Sequence, residues 1–214
     1  GNKKNRELHG EWEVVLLGLK ENDGTVRAAG LFTKQPTVLG KYFYYSNRGP
    51  VINYDDIDLV RAYFSGLTEY LKENDCSYVK VDPNWIYKKY NKDVEEYTDY
   101  EPRQEVIDLL ESMGYVHQGF TRGYSKTSQA RWMSVLDVSK FKDEKDLVKS
   151  FDSLRRRNIK KAQKFGVKVR FLESDEMDIF VDLFLETAER QNCFITVKSQ
   201  QYFKDFKETY GDKV

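Results

Sequence analysis

WEVVLLGLKENDGTVRAAGLFT, residues 12–33, contains two apolar runs on either side of a turn. The first run, Trp12–Leu19, is typical of a β-strand, and a second strand is predicted near Val26–Thr33. Asn22-Asp23-Gly24 lies between them and favours a hairpin turn, because glycine tolerates a positive φ. This stretch therefore predicts an antiparallel hairpin and, with it, a domain built around a β-sheet.

The elements predicted after the hairpin extend this sheet and add helices. An aromatic strand is expected at Lys41–Ser46, and apolar residues four apart predict a helix over Ile57–Lys72. A buried strand, a helix and another strand follow at Tyr78–Val81, Pro102–Met113 and Tyr115–Phe120. Residues 1–130 are thus expected to form a β-β-β-α-β-α-β domain.

The pattern starts again after residue 130 and predicts a second α/β domain over residues 131–214. Its expected elements are a strand, a helix, a strand and two helices, at Arg131–Val138, about Asp143–Phe165, Val167–Leu172, Met177–Gln191 and Gln200–Tyr210. The first of these helices can be continuous or interrupted near Ser150–Ser153. The last residues read as the start of a strand, so we expect the second domain to be incomplete and the chain to be part of a longer protein.

The composition indicates a folded protein without a strong overall electric field. The 35 basic and 35 acidic residues give zero net charge, and 15 Tyr and 13 Phe are too many for a disordered chain. No apolar run approaches the roughly 20 residues that span a bilayer. Cys76 and Cys193 are far apart, and His9 and His117 have no triad partners in the sequence. We expect buried cysteines, no metal, no cofactor and a reducing, cytoplasmic compartment.

The densest local charge lies in SLRRRNIKKAQKFG, residues 153–166, which has no acidic side chain. At about 100° per residue, one side of this helix is apolar and is expected to pack on a core, through Phe151, Leu154, Ile159, Ala162 and Phe165. The opposite side collects Arg157, Lys160, Lys161 and Lys164. Like charges at this spacing repel, so we expect a phosphate-bearing ligand there. The alternative is a solvated cationic face with no ligand.

Four motifs follow one another along the chain. They are YSNRGPV at Tyr45–Val51, VKVDP at Val79–Pro83, RWMSVLD at Arg131–Asp137, and LRRRNIKKA at Leu154–Ala162 followed by GVKV at Gly166–Val169. In this order they resemble the FemXAB family of peptidoglycan branching aminoacyltransferases, most closely its staphylococcal-type members. The resemblance implies an α/β (α+β) fold of two tandem GNAT-like (N-acetyltransferase-like) domains with mixed, mostly antiparallel sheets.

The resemblance also implies a function. Members of the family transfer an amino acid from aminoacyl-tRNA to the side-chain amine of a stem peptide, in either UDP-MurNAc-pentapeptide or lipid II. They act in the cytoplasm without a cofactor, and the first domain binds the acceptor precursor. Use of lipid II would bring the protein into peripheral contact with the inner membrane leaflet. Which amino acid is transferred (Gly, Ala or Ser), at which position in the bridge, and to which acceptor, stays open.

Several residues acquire expected roles from the same resemblance. Lys160 and Lys161 would neutralise the pyrophosphate of the precursor, and Arg157 and Lys164 would extend this patch. Lys4 is the candidate for a lysine near the start of the family that also meets the precursor phosphates, but the tryptophan that precedes that lysine in the family is absent here. For Lys4 the favoured interpretation is a frayed terminus.

Asp82 corresponds to the acidic residue that the family places near the acceptor peptide. Tyr78 precedes it by four residues, so both are expected on one face of a strand and in one pocket. A carboxylate is a weak base beside an aliphatic amine, so we expect Asp82 to orient and stabilise the incoming amine. The alternative is that Asp82 caps the turn before Trp85.

Two rival functions come from other classes. The first is a CoA-dependent GNAT-type N-acyltransferase, which is disfavoured because no glycine-rich phosphate loop of the form Q/R-x-x-G-x-G/A occurs. The second is a non-enzymatic RNA-binding module, which predicts salt-sensitive RNA binding that is indifferent to aminoacylation. Arg48, before Gly49-Pro50, is expected to be mainly structural.

Overall fold

The computed structural model describes residues 12–91, 93, 95, 101–122, 129–192 and 198–211. The chain divides into two compact units, residues 2–132 and residues 133–214. The strands of the first unit are β1 Glu13–Lys20, β2 Val26–Pro36, β3 Tyr42–Arg48, β4 Val51–Ile52 and β5 Cys76–Pro83, and its helices are α1 Ile57–Glu73 and α2 Gln104–Ser112. The helices of the second unit are α3 Glu144–Ser150, α4 Ser153–Lys164, α5 Met177–Arg190 and α6 Gln200–Tyr210.

The hairpin predicted from residues 12–33 forms as β1 and β2. The two strands pair antiparallel from Glu13 opposite Lys34 to Leu19 opposite Ala28. In the turn, Gly24 has φ 88°, and its N–H donates to the Glu21 carbonyl at 2.9 Å. The positive φ explains why glycine stands there.

The other strands extend the hairpin into one mixed sheet. The strand order is β1-β2-β3-β5, and the short strand β4 also pairs with β2. All these pairings are antiparallel except that of β3 with β5, which is parallel. The expected α/β class with a mixed, mostly antiparallel sheet is therefore confirmed.

One face of the sheet packs against α1. The Asp56 carboxylate accepts from the Leu59 N–H at 3.0 Å and so caps the helix. The apolar side of α1 is buried through Leu59, Val60, Tyr63, Phe64, Leu67 and Leu71. These side chains join Phe32 and Tyr44 of the sheet and Val106 and Leu109 of α2 in one core. Because side chains alternate along a strand, the neighbours of these sheet residues lie on the opposite face.

The secondary-structure elements described in the second unit are all helices or 3-10 turns. The helix expected over about Asp143–Phe165 is interrupted. Helix α3 ends at Ser150, and Asp152 caps the start of α4 by accepting from the Arg155 N–H at 2.8 Å. Helices α5 and α6 meet through aromatic rings, with the centroids of Phe180 and Phe203 4.9 Å apart. Gly166 ends α4 with φ 72°.

Three predicted strands are wrong. No strand forms at Tyr115–Phe120, Arg131–Val138 or Val167–Leu172. The one regular element that touches these segments is a short 3-10 turn that starts at Val138. Their apolar side chains are largely exposed, for example Val135 at 85% and Val169 at 98%. A strand needs a hydrogen-bonded neighbour, and no described strand pairs with these segments.

Candidate functional site

Asp82 lies near the carboxyl end of β5, on the face of the sheet opposite α1. Its backbone N–H donates to the Gly49 carbonyl at 3.1 Å, so the strand is tied to the loop after β3. Its carboxylate Oδ2 accepts from the Tyr45 hydroxyl at 3.2 Å and from the Gln129 backbone N–H at 3.0 Å. The side chain is half-buried. The Asp82 carboxylate is therefore held in place and still reaches solvent.

Arg48 holds the segment that carries Gln129. It lies at the end of β3 with φ 55°, and its guanidinium Nη2 donates to the Ala130 carbonyl at 3.1 Å. This bond places residues 129–130 beside the ends of β3 and β5. It gives Arg48 a structural role that secures the second donor to Asp82.

An aromatic row leads from Tyr78 to Asp82 across β3 and β5. The ring of Tyr78 is 58% exposed and stacks on Phe43 with centroids 4.3 Å apart. Phe43 in turn stacks on Tyr45 at 6.2 Å, and the Lys80 ammonium lies 5.4 Å from the Tyr45 ring centroid. Tyr78 and Asp82 are thus on one face, but four residues of strand separate them by about 13 Å. The rings of Phe43 and Tyr45 lie along this stretch of the same face.

Tyr45 is a neutral hydrogen-bond donor in this row. Burial and the adjacent charge of Asp82 raise the pKa of the Tyr45 phenol above its ordinary value of 10.0. The hydroxyl therefore stays protonated at neutral pH and donates a hydrogen bond to the carboxylate.

The other reactive side chains that the structure describes in this unit, Cys76 and His117, do not form a nucleophilic site. Burial raises the pKa of the Cys76 thiol, which makes its thiolate scarce. The His117 ring packs on Phe120 at 4.8 Å, and burial followed by the charge of Arg131 lowers the pKa of His117. Within the described residues, no group of three or more His, Cys, Asp or Glu side chains is arranged to hold a metal ion.

The basic residues of α4 separate into two kinds. Arg155 pairs with Asp152 at 2.6 Å, and Arg156 donates to the carbonyls of Lys149 and Phe151 at 3.0 and 2.7 Å. These two arginines therefore secure the start of the helix. The other four side chains are exposed, and none of them pairs with a carboxylate among the described residues: Arg157, Lys160, Lys161 and Lys164.

The apolar side of α4 is packed only in part. Ile159 and Ala162 are half-buried, whereas Leu154 is 53% and Phe165 is 74% exposed. The expectation that the helix buries a complete apolar side is therefore wrong for this chain, because no described element covers the two ends of that side. The cationic side remains as expected, with all four side chains in solvent.

Several residues named from the sequence cannot be placed. Lys4, His9 and Cys193 lie outside the described residues.

No helix of the described part combines the length and the apolar composition needed to cross a membrane.

The sequence interpretation missed Tyr45 and Gln129 as partners of Asp82. Tyr45 belongs to a quoted motif, but its contact depends on the parallel pairing of β3 with β5, which aligns Tyr45 with Lys80 and Asn47 with Asp82. Gln129 comes from a segment 47 residues away in the chain. Neither contact leaves a local signal in the sequence.

Comparisons with known proteins agree over nearly the whole chain. A family model described as the FemAB family matches residues 2–214. The aminoacyltransferase FemB of Staphylococcus epidermidis is 49% identical over 213 residues, which are 100% of this chain and 49% of that protein. The aminoacyltransferase FemA of the same species is 40% identical over 202 residues, which are 94% of this chain and 48% of that protein. The chain therefore spans about half the length of the curated relatives it matches.

A solved structure resembles this chain over the same range. The crystal structure of FemX superposes with a TM-score of 0.71 and 19% sequence identity, over 96% of this chain and 47% of that chain. At this identity the likeness shows the fold alone. It agrees with the α/β class and the mixed sheet described above.

Proposed function

This chain belongs to the FemAB family, and from that premise we propose that the full-length protein is an aminoacyltransferase of peptidoglycan bridge synthesis. It transfers an amino acid from aminoacyl-tRNA to the stem-peptide amine of UDP-MurNAc-pentapeptide or lipid II. The 49% identity to an aminoacyltransferase carries this proposal. The held carboxylate of Asp82 supports it from the geometry.

The chemistry requires positioning more than activation of the donor. The acceptor binds as an ammonium group and loses one proton to solvent. The neutral amine nitrogen then attacks the ester carbonyl carbon of the aminoacyl-tRNA, a C–N bond forms, and the C–O bond to the tRNA ribose breaks. The second proton that the nitrogen loses is balanced by the proton that the ribose oxygen gains. Holding the amine at the ester and stabilising the charges that develop supply most of the rate in such a reaction.

Asp82 is the residue we assign to the acceptor amine. A fixed, half-buried carboxylate attracts an ammonium group and orients its nitrogen. Tyr78 and Phe43 present an exposed aromatic surface on the same face, along which the stem peptide can lie. The predicted domain of residues 1–130 thus binds the acceptor.

The basic side of α4 is assigned to the anionic part of the precursor. Lys160 and Lys161 neutralise its pyrophosphate, and Arg157 and Lys164 extend the positive surface. Their exposure and their lack of carboxylate partners among the described residues support this role. Lys4 is proposed as a further phosphate contact on the strength of the family resemblance alone.

The proposed substrates suggest where the protein works. Aminoacyl-tRNA and UDP-MurNAc-pentapeptide are cytoplasmic, so we propose a cytoplasmic enzyme. If lipid II is the acceptor, the enzyme makes peripheral contact with the inner leaflet. No cofactor or metal takes part in the proposed reaction.

A transfer assay tests the proposal. The full-length protein is incubated with Gly-, Ala- or Ser-tRNA and with either precursor. The mass of the precursor is then measured by mass spectrometry. We expect the mass of one or more aminoacyl residues to be added with at least one pair, and no gain with uncharged tRNA. No gain with any pair would overturn the proposal. A gain of an acetyl group from acetyl-CoA would favour the CoA-dependent rival, and RNA binding that ignores aminoacylation would favour the RNA-binding rival.

A further inference from the structure

The two hydrogen bonds to Asp82 end on the same oxygen atom. The Tyr45 hydroxyl and the Gln129 N–H both donate to Oδ2, at 3.2 and 3.0 Å. In the part of the chain that the structure describes, no hydrogen bond ends on Oδ1. Two donors on one oxygen fix the rotation of the carboxylate, and the second oxygen keeps its lone pairs for another group.

Tyr45 is itself held firmly enough to act as a fixed donor. Its carbonyl accepts from the Thr33 hydroxyl at 3.3 Å. Phe43 stacks beside its ring at 6.2 Å, and the Lys80 ammonium lies 5.4 Å from its ring centroid. The direction of the Tyr45 hydroxyl is therefore set by the sheet, and the direction of Oδ1 follows from it.

We propose that Tyr45 is a positioning residue that, with the Gln129 N–H, holds Oδ2 of Asp82 so that Oδ1 is presented to the acceptor amine. The proposal rests on the proposed function, because it assigns a role within the same site. Tyr45 acts through Asp82 and does not touch the substrate. The sequence motifs gave Tyr45 no such role.

The neighbouring residue Tyr44 provides a matched control. Tyr44 is on the same strand but on the core face, and its hydroxyl donates to the Asn74 carbonyl at 3.2 Å. Tyr44→Phe therefore removes one hydroxyl from β3 without touching Asp82. It is expected to lower the thermal unfolding temperature while kcat is unchanged.

The test measures transfer by Tyr45→Phe in the full-length protein. Loss of a hydrogen bond to a charged group is expected to lower kcat by about tenfold. The KM for the precursor is expected to change by less than about twofold, because Asp82 itself is still present. In an Asp82→Ala background, Tyr45→Phe is expected to lower kcat by less than about twofold further, because its target is gone.

The outcomes separate this proposal from the proposed function. If the wild-type protein transfers nothing with any donor and acceptor pair, both the proposed function and the positioning role are overturned. If the wild-type protein is active and Tyr45→Phe matches it, the positioning role is overturned while the transferase remains. The same conclusion follows if Tyr44→Phe loses as much kcat as Tyr45→Phe, or if the effects of Tyr45→Phe and Asp82→Ala multiply independently.

Discussion

Adjacent residues of one strand have different tasks in this protein. Tyr44 is completely buried in the core, whereas the next residue, Tyr45, lies on the open face and contacts Asp82. The alternation of side chains along β3 produces this difference. A shift of the strand by one residue would exchange the two rings and remove the donor from Asp82.

Gly30 is a residue whose small size is required. A Cβ atom there would lie 2.5 Å from the Tyr63 hydroxyl and 2.6 Å from the Phe32 ring, and both rings are buried in the core. We expect Gly30→Ala to lower the free energy of unfolding by about 1–3 kcal/mol through overpacking. Urea unfolding followed by circular dichroism measures the change.

Gly66 is the matched control for Gly30→Ala. It lies inside α1, and a Cβ atom there would have no neighbour within 4 Å. Gly66→Ala is expected to raise the free energy of unfolding by about 0.5–1 kcal/mol, because alanine favours a helix. Equal stability of the two variants would contradict the packing described around Gly30.

Helix α4 contains two kinds of basic side chain. The first two arginines, Arg155 and Arg156, bind the preceding turn, and the later basic side chains face solvent. A sequence pattern shows only the total charge of the helix. The contacts determine which of these charges remain for a ligand.

Lys161→Ala tests the proposed binding role of α4. We expect the affinity for UDP-MurNAc-pentapeptide to fall by about tenfold at low salt, because a charge-assisted contact to phosphate is lost. Isothermal titration calorimetry measures this affinity, and circular dichroism checks that the variant keeps its helix content. Arg155→Ala removes the same charge from a side chain already paired with Asp152, so we expect a change below about twofold. If the affinity of Lys161→Ala is unchanged, this side of the helix is a solvated surface without a ligand.

The stability of the start of α5 depends on pH through the carboxylate of Glu176. Two bonds from Arg170, at 2.6 and 2.8 Å, followed by the Glu173 N–H, lower the pKa of Glu176 from 4.5 to about 2. A lowered pKa in the folded state means that the stabilisation is complete above the ordinary value and is lost as the pH falls toward about 2.

Glu176→Gln therefore makes the unfolding temperature less sensitive to acid. Between its ordinary pKa of 4.5 and about 2, the wild-type unfolding temperature is expected to fall further than that of the variant. Glu186→Gln, on the same helix, serves as the control and is expected to follow the wild type. An identical acid response of Glu176→Gln and wild type would show that the pair with Arg170 does not form in solution.

Over the whole molecule, local patterns in the sequence predicted only part of the secondary structure. The hairpin followed from Asn22-Asp23-Gly24, and α1 followed from its apolar spacing. The strands expected at Arg131–Val138 and Val167–Leu172 did not form, because strand structure depends on a partner that local sequence does not reveal. Asp82 was predicted from a motif, but its partner Tyr45 was not, because their contact depends on the pairing of distant strands.

The most direct test of the central claim is the single-turnover transfer rate of Asp82→Asn in the full-length protein. Asparagine keeps the size of the side chain and can still accept from Tyr45 and Gln129, but it has no negative charge for the acceptor amine. We predict a rate at least about a hundredfold below that of wild type, with precursor affinity within about twofold. A rate equal to that of wild type would contradict the assignment of Asp82 to the acceptor amine.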